Sequence, residues 1–217
     1  GYKTAILDAD ITGPSIPKAF GVHKTPKAEG DFLYPDETET GIKIMSVNLL
    51  LDDETTPVLW RGPIIAGTVK QFYSDIIWGD IDYMFIDCPP GTGDVPLTIF
   101  QSIPIDGVVV VTTPQDLVSV IVGKAVHMAD SMNIPVIGMI ENMSYFICPD
   151  CNNKHYIFGK SQLEQVIRDL YIGHAIRLPI NPSLAGLMDR GEIEHMEANA
   201  DLQEFADLIS TFDPDKY

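Results

Sequence analysis

The stretch FIDCPPGTGD, residues 85–94, joins an apolar run that ends in an acid to a loop of restricted composition. Two prolines and two glycines lie between Asp87 and Asp94. Proline fixes its backbone φ angle and glycine reaches conformations that other residues avoid, so the shape of this loop is set in advance. A preformed loop directly after a strand indicates that this end of the strand holds a ligand.

Apolar runs like the one before Asp87 recur along the chain and alternate with amphipathic helical patterns. The runs cover residues 4–10, 42–47, 83–88, 107–113, 135–142 and 174–180, and the helical patterns cover residues 64–78, 116–132, 160–171 and 199–211. Continuous runs rich in β-branched residues are typical of strands that a parallel sheet buries on both faces. The alternation predicts an α/β fold, with a doubly wound, mostly parallel sheet in a single domain over residues 1–217.

Two of the helical patterns also predict which helix face is buried. Apolar residues spaced three and four apart lie on one side of a helix. The two stripes are Ile65, Val69, Phe72 and Ile76 in the first pattern, and Ile121, Ala125, Met128 and Met132 in the second. Residues 21–41 fit neither a helical nor a strand period, and we expect a surface excursion there, such as a hairpin.

The composition disfavours several classes of partner. The chain of 217 residues has 31 acidic and 14 basic side chains, a net charge of −17. Nucleic acids and anionic membranes are bound through basic faces, so we expect neither as a partner. The chain has three cysteines, a small and odd number, whereas a secreted disulfide framework needs several pairs. This count favours a reducing compartment, and we expect the cytoplasm. No apolar run approaches the roughly 18 residues of a membrane-spanning helix.

Carboxylates follow two of the predicted strands. The first strand ends in Asp8 and Asp10, and the third ends in Asp87, before the loop that leads to Asp94. Parallel α/β sheets bind ligands beyond the carboxyl ends of their strands. Carboxylates gathered there repel each other unless a cation lies among them, and Mg²⁺ bound together with phosphates is a common solution. The pattern favours a phosphate–Mg²⁺ site with Asp87 on a Walker-B-type strand, whereas the Asp87 loop alone is equally typical of an ordinary turn.

A phosphate-binding loop of the form GxxxxGK[ST] is absent from the 217 residues. FGKS, residues 158–161, contains the Gly-Lys-Ser ending, but Lys154 stands where the first glycine is required. Gly123-Lys124 also fails, because Val118 replaces the first glycine and Ala125 replaces the hydroxyl residue.

The motif CPDC, residues 148–151, is the second chemical signal. Two thiolates this close can hold one side of a metal centre, but zinc and iron–sulfur clusters normally take four ligands. Cys88 lies in a predicted strand far along the chain, and His155 is either a further ligand or a surface residue. A pair of cysteines without a metal is the alternative interpretation.

These segments together resemble one family. They are LDADITGPSIP (7–17), WRGP (60–63), DYMFIDCPPGTGD (82–94), VVVVTTPQ (108–115), ENMSYFICPDC (141–151) and IFG (157–159). With them the chain closely resembles the Mrp/ApbC-type iron–sulfur cluster carrier ATPases, which belong to the MinD-like, deviant-Walker P-loop NTPases. Many P-loop proteins share the aspartate motifs, whereas few add ENMS followed by CxxC.

The resemblance implies an ATPase that binds a [4Fe–4S] cluster and transfers it to apo iron–sulfur proteins, with ATP and Mg²⁺ as cofactors. Members of the family begin with a strand, a phosphate-binding loop of the GKGGVGKS type and a helix that leads into the DAD strand. The resemblance therefore implies that these three elements are missing from the 217 residues, which start directly before that strand.

The resemblance also assigns roles to the strand-end acids. It implies that Asp10 orients the attacking water, that Asp8 lies near Mg²⁺ through a water molecule, and that Asp87 is the Walker B acid. The loop containing Gly91 then corresponds to switch II. Such a loop reports the γ-phosphate, which explains why its shape is restricted and why glycine hinges are present.

Further roles fall on the second half of the chain. Asn142, which follows Glu141 at the expected end of the strand 135–142, matches the residue that contacts the adenine edge. The resemblance places the backbone of Pro179, Ile180 and Asn181 over the base, and it makes Cys148 and Cys151 the cluster ligands.

The ligand count predicts a homodimer. One chain supplies two cysteines at suitable spacing, and a two-fold axis would bring two such pairs together around one cluster. Zinc in the same place would have an identical sequence signature. Two other functions stay open at this point: a MinD/ParA-like positioning ATPase, and a non-catalytic zinc-binding scaffold.

Overall fold

The structure is a computed structural model that describes residues 1–11, 13–30, 32–50 and 62–216. Trp60 and Arg61 of the WRGP motif lie outside these residues. Within them the β-strands are β1 (Thr4–Asp8), β2 (Lys27–Glu29), β3 (Phe32–Tyr34), β4 (Asp36–Glu37), β5 (Lys43–Ser46), β6 (Tyr83–Asp87), β7 (Val108–Thr112), β8 (Val136–Ile147), β9 (Lys154–His155) and β10 (Ala175–Pro179). The α-helices are α1 (Ile16–Ala19), α2 (Gly62–Ser74), α3 (Asp94–Ser102), α4 (Asp116–Ser131), α5 (Leu163–Asp169), α6 (Pro182–Arg190) and α7 (Ala200–Thr211).

The chain forms two compact units. The first consists of Gly1–Ile103 and Ser183–Met196, and the second of Pro104–Pro182 and Glu197–Tyr217. Each is built on a sheet that is mostly parallel, with helices between the strands, so the predicted α/β class is confirmed. The single-domain arrangement stays a prediction.

The first unit is built on a sheet with the strand order β4-β5-β1-β6. The strand β1 runs parallel to both β5 and β6, and β4 is antiparallel at the edge. The register places Asp8, the last residue of β1, opposite both Ser46 and Asp87, the last residues of β5 and β6. Three strands therefore end at the same level, each in a polar side chain.

The helix α2 presents its predicted face to the core of this unit. Ile65, Val69, Phe72 and Ile76 are all buried, as expected from their spacing, although the helix itself ends at Ser74. Residues 21–41 contain an antiparallel hairpin of β2 and β3, in which Lys27 pairs with Tyr34.

The second unit contains a parallel sheet of strand order β10-β8-β7, with the short β9 antiparallel to β8. Its core is an apolar cluster formed by β7, α4, β8, α5 and the segment after α5. The buried members are Val110, Val122, Val126, Met139, Leu163 and Ile172. The helix α7 packs on this sheet so closely that Gly138 of β8 lies directly against the Phe205 ring.

The buried face of α4 differs from the predicted one. Val122, Val126 and Ala129 are buried, whereas Ile121, expected in the core, is 50% exposed. The helix carries apolar side chains on adjacent stripes, and both stripes satisfy the helical period. Contact with β7 and β8 selects the stripe that lies one residue further along.

The strand β8 is longer than expected and continues to Ile147, so Glu141 and Asn142 lie within it rather than at its end. Arg177 of β10 pairs with Glu141, and Pro179 pairs with Tyr145. The residues 142–144 thus lie opposite the single residue Leu178, which is a bulge. Met143 has a φ of 54°, a left-handed conformation that is uncommon for a non-glycine residue.

Candidate functional site

Parallel pairing brings the strand-end acids of the first unit together. Asp8 and Asp87 are register partners, and the backbone N–H of Ala9 donates to the Asp87 carbonyl at 2.8 Å. The Asp10 backbone N–H donates to Asp8 Oδ1 at 3.2 Å, so the DAD segment turns back over its own first acid. The Asp10 carboxylate in turn accepts the N–H of Gly13 at 3.2 Å.

Asp8 is the buried centre of this group, with no exposed surface. Burial raises the pKa of its carboxyl to about 6, and the Asp87 charge acts in the same direction. Hydrogen bonds from the Ser46 side chain and from the Ile16 and Asp10 backbones oppose that rise in pKa. Within the described part of the chain, Asp8 Oδ2 has no hydrogen-bond partner.

The carboxylate group fits a hard cation such as Mg²⁺. A buried oxygen without a partner is costly, and a ligand or ion commonly accounts for it. Burial raises the pKa of Asp87 as well, and the charge of Asp10 adds to this effect. A bound cation would lower the cost of keeping these acids ionised side by side. The donor set, all carboxylate and hydroxyl oxygen, is the kind that Mg²⁺ prefers.

The loop after Asp87 adopts a shape that its sequence enforces. Gly91 has a φ of 90°, which a residue with a side chain rarely adopts, and the loop ends where α3 begins at Asp94. Cys88 follows the strand directly and is partly buried. Its burial, with the charges of Asp87 and Asp10, raises the pKa of the thiol to about 12, so the thiolate that metals bind is disfavoured there.

The predicted base-contacting residues lie around the β8 bulge in the second unit. Asn142 is exposed, and its Oδ1 accepts the backbone N–H of Met143 at 2.8 Å. This bond engages the oxygen of the amide, so the NH₂ group is the end that would donate to a ligand. On the neighbouring strand, Pro179 pairs with Tyr145, and the Ile180 N–H donates to the Tyr145 carbonyl at 2.7 Å. Asn181 follows as an exposed residue before α6.

Glu141 forms a polar centre in the second unit that the sequence pattern did not reveal as one. It is 3% exposed and accepts hydrogen bonds from Ser144 Oγ at 2.5 Å and Ser161 Oγ at 2.7 Å. Arg177 Nε lies 3.5 Å from Glu141, and Arg177 also contacts Glu164 at 2.5 Å. These contacts tie β8, α5 and β10 together beside the bulge. The arginine within the apolar run HAIRLPI was the signal that could have indicated a buried ion pair.

Ser46 is a second residue that sequence reasoning missed. It is fully buried at the end of β5, where it is the register partner of Asp8, and its side chain lowers the pKa of Asp8. Its place at the end of a predicted strand was the available signal, but only the register shows that it faces Asp8.

The CPDC motif forms the tip of the β8–β9 hairpin. The Cys148 N–H donates to the Asn153 carbonyl at 3.0 Å, and the Asn152 N–H donates to the Cys148 carbonyl at 2.9 Å. The sulfurs of Cys148 and Cys151 and a ring nitrogen of His155 all lie within 4.8 Å of one another. Hydrogen bonds from the backbone of Cys151 and then of Asp150 lower the pKa of the Cys148 thiol, which favours the thiolate.

The predicted site residues therefore form separate groups. Asp8, Asp10, Asp87 and Gly91 lie in the first unit. Asn142, Pro179, Ile180, Asn181, Cys148 and Cys151 lie in the second. The structure adds His155 to the cysteine pair, and in the described residues this group of three holds neither Cys88 nor a fourth ligand from the same chain.

Known proteins that are similar to this chain show which family combines strand-end acids with a cysteine hairpin. Residues 1–212 match the ParA-type family described as NUBPL iron-transfer P-loop NTPase. The chain belongs to this family. The resemblance drawn from the motifs is thereby confirmed.

Curated relatives of the family are similar over most of this chain. The chain is 48% identical over 193 residues to an iron–sulfur cluster carrier protein of Methanocaldococcus jannaschii, which covers 88% of this chain and 67% of the relative. It is 39% identical over 208 residues to a probable cytosolic Fe–S cluster assembly factor of Schizosaccharomyces japonicus, covering 89% of this chain and 34% of that protein.

Solved structures agree with the fold. A nucleotide-binding protein of Archaeoglobus fulgidus, solved in complex with ADP, is 40% identical with a TM-score of 0.81, over 94% of this chain and 79% of that one. A chain of the MinC–MinD cell division protein complex of Aquifex aeolicus is 16% identical with a TM-score of 0.64, over 98% of this chain and 85% of that one, and it shows the fold alone. Among the described helices, none is both long and apolar enough to span a bilayer.

Proposed function

We propose that this protein is an ATP-dependent carrier that holds a [4Fe–4S] cluster and transfers it to apo iron–sulfur proteins. The observation that carries the proposal is the exposed hairpin with Cys148 and Cys151, present in a member of an iron-transfer P-loop NTPase family. A carrier needs ligands that a recipient protein can reach, and a hairpin tip is accessible in a way that a core site is not. The relatives described as cluster carriers support the same function.

The nucleotide part of the proposal rests on the strand-end acids. Mg²⁺, held by Asp87 with Asp8 near it, would offset charge on the phosphate oxygens of ATP. The Asp10 carboxylate, at the turn after β1, would orient the attacking water for in-line displacement of the terminal phosphate. Hydrolysis of this kind depends on positioning and charge stabilisation rather than on a covalent intermediate. The Asn142 amide and the backbone of Pro179–Asn181 would bind adenine.

One strand supports coupling between nucleotide and cluster. The strand β8 carries the Asn142 bulge and leads directly into Cys148. Glu141 and its partners hold β8 at the bulge through Ser161 and Arg177. A change in how Asn142 is bound would thus reach the hairpin through a single strand.

A homodimer supplies the remaining cluster ligands in this proposal. Four thiolates are needed, and each chain offers Cys148 and Cys151. Large apolar side chains flank the hairpin and are exposed, namely Ile147, Tyr156, Ile157 and Phe158. Such a patch around a metal-binding group suits a contact with a second copy, since isolated exposed patches of this kind mark interaction sites.

The test is anaerobic cluster reconstitution of the chain, with iron, sulfide and mass measured together. We expect a dimer with about one [4Fe–4S] cluster per two chains, and transfer of that cluster to an apo-ferredoxin. Cys148→Ala or Cys151→Ala should abolish the brown chromophore, whereas Cys88→Ala should keep it. A monomer with a full cluster, or a cluster that survives loss of both Cys148 and Cys151, would contradict the proposal. Zinc bound in place of any cluster would favour the scaffold function.

A further inference from the structure

His155 lies with the two cysteines because of the hairpin register. Phe146 pairs with His155 and Ile147 with Lys154, so β9 returns alongside the end of β8. The turn between them, residues 148–153, is closed by two backbone hydrogen bonds at Cys148. This geometry places one imidazole beside both thiols, although His155 is four residues away from Cys151 in the sequence.

The spacing of the three donor atoms suits one small cation. In a tetrahedral zinc site, sulfur and nitrogen ligands at about 2.3 and 2.0 Å from the metal lie roughly 3.5–3.8 Å from each other. The three donor atoms here lie within 4.8 Å of one another. Cys151 and His155 are exposed at the hairpin tip, so small rotations of their side chains close the remaining difference.

We propose that Cys148, Cys151 and His155 of a single chain form a three-donor site for a tetrahedral divalent cation of the zinc class, with the fourth position open. Two thiolates and an imidazole are the donors that such cations prefer, whereas Mg²⁺ selects oxygen. The inference rests on the proposed function only in that both use the same cysteines. His155 is then a ligand when the hairpin binds a zinc-class ion and is not a ligand when the hairpin binds a cluster.

The two kinds of loading differ in stoichiometry. A cluster with four thiolate ligands takes both cysteines from each of two chains and leaves His155 outside the ligand set. A zinc-class ion takes three donors from one chain, and two thiol protons leave to solvent as the ion binds. One ion per chain and one cluster per two chains are therefore the expected limits.

The experiment is an anaerobic titration of the metal-free chain with Co²⁺, which reports its coordination by its visible absorption. We expect one Co²⁺ per chain, with a thiolate-to-cobalt charge-transfer band and the intense visible bands of tetrahedral cobalt. His155→Ala should weaken Co²⁺ binding at least about 10-fold and reduce the visible bands, since one of three donors is lost. His127→Ala, which removes an exposed histidine from α4, is the matched control and should leave both unchanged.

The same variants separate this site from cluster binding. His155→Ala should still accept about one [4Fe–4S] cluster per two chains on reconstitution. Cobalt affinity and spectrum that are identical in wild type and His155→Ala would overturn the site, as would one Co²⁺ per two chains in the wild type. If the wild type binds cobalt through His155 but takes up no cluster, the carrier function fails while the cation site stands.

Discussion

At the scale of single residues, Asp8 gives the carboxylate group a measurable response to pH. Burial raises the pKa of Asp8 from 3.8 to about 6. The folded chain therefore holds a proton on Asp8 between these pH values where the unfolded chain has lost it. The contribution of Asp8 to the free energy of unfolding is most favourable below about pH 4 and falls as the pH rises to 6.

Asp8→Asn should remove this dependence. We expect the free energy of unfolding of Asp8→Asn, relative to wild type, to rise by about 2–3 kcal/mol from pH 4 to pH 7. Urea unfolding in magnesium-free buffer at several pH values measures the difference. Two parallel pH profiles would show that the Asp8 carboxyl titrates normally and is not held in a desolvated site.

Asp10 belongs to the same turn but has a different predicted role. In a form of this protein that hydrolyses ATP, Asp10→Ala should leave ATP binding largely intact and lower turnover about 10²-fold or more, because a positioned catalytic group is lost. Equilibrium binding of ATP and steady-state phosphate release measure the two effects. Asp130→Ala, an exposed aspartate on α4, is the control. Wild-type turnover in Asp10→Ala would remove Asp10 from the mechanism.

Asn142 can be tested more finely, because the structure separates the two ends of its amide. Its Oδ1 accepts the Met143 N–H, so Asn142→Asp keeps this acceptor and replaces the NH₂ donor with a charged carboxylate oxygen, whereas Asn142→Ala removes both ends of the amide. Both Asn142→Asp and Asn142→Ala should weaken ATP binding by about 1–3 kcal/mol, with little effect on GTP. Calorimetric titration with both nucleotides measures this. Equal affinity of the wild type for ATP and GTP would give Asn142 another role.

At the scale of elements, the close approach of α7 to β8 depends on one glycine. A Cβ atom at Gly138 would lie 2.8 Å from Phe205 Cε2 and 2.9 Å from the His174 carbonyl oxygen. The carbonyl belongs to the backbone leading into β10 and cannot turn aside. Gly138→Ala should therefore destabilise the fold by about 1–3 kcal/mol.

Gly123→Ala is the matched control for Gly138→Ala. Gly123 lies within α4, and among the described residues no atom outside the helix's own backbone lies within 4 Å of the added Cβ, so alanine should stabilise the chain by about 0.5–1 kcal/mol. The urea concentrations at the unfolding midpoints of both variants, compared with that of the wild type, measure these two changes in stability. Gly138→Ala with wild-type stability would mean that α7 does not pack on β8 as described.

At the scale of the whole molecule, the apolar patch around the hairpin should govern assembly. Ile157, two residues after His155, is 60% exposed. Ile157→Ser should weaken the cluster-loaded dimer at least about 10-fold, since burial of an isoleucine side chain is worth about 1.5–3 kcal/mol. Ile121→Ser, at a half-exposed position on α4, should leave the dimer unchanged. Sedimentation equilibrium measures both, and an unaffected dimer in Ile157→Ser would place the interface elsewhere.

Much of the fold followed from local pattern. The strands that begin at Thr4, Lys43, Tyr83, Val108, Val136 and Ala175 all lie where apolar runs predicted them. Period alone did not select the face of α4, because two adjacent stripes were both apolar and packing chose between them. The β8 bulge could not be predicted from the sequence either, because it arises from the pairing of β8 with β10 and not from either strand alone.

The primary sequence established which chemical groups this protein carries: acids at strand ends, a preformed loop after Asp87, an asparagine before a cysteine pair, and through them the family. These are properties of residue type and spacing, which local sequence specifies. The folded structure was needed to show that Ser46 lies opposite Asp8, that Glu141 is a buried polar centre, and that His155 lies beside Cys148 and Cys151. Each of these depends on strand register, and register is fixed by which distant segments pair, a choice made by the packing of the whole fold.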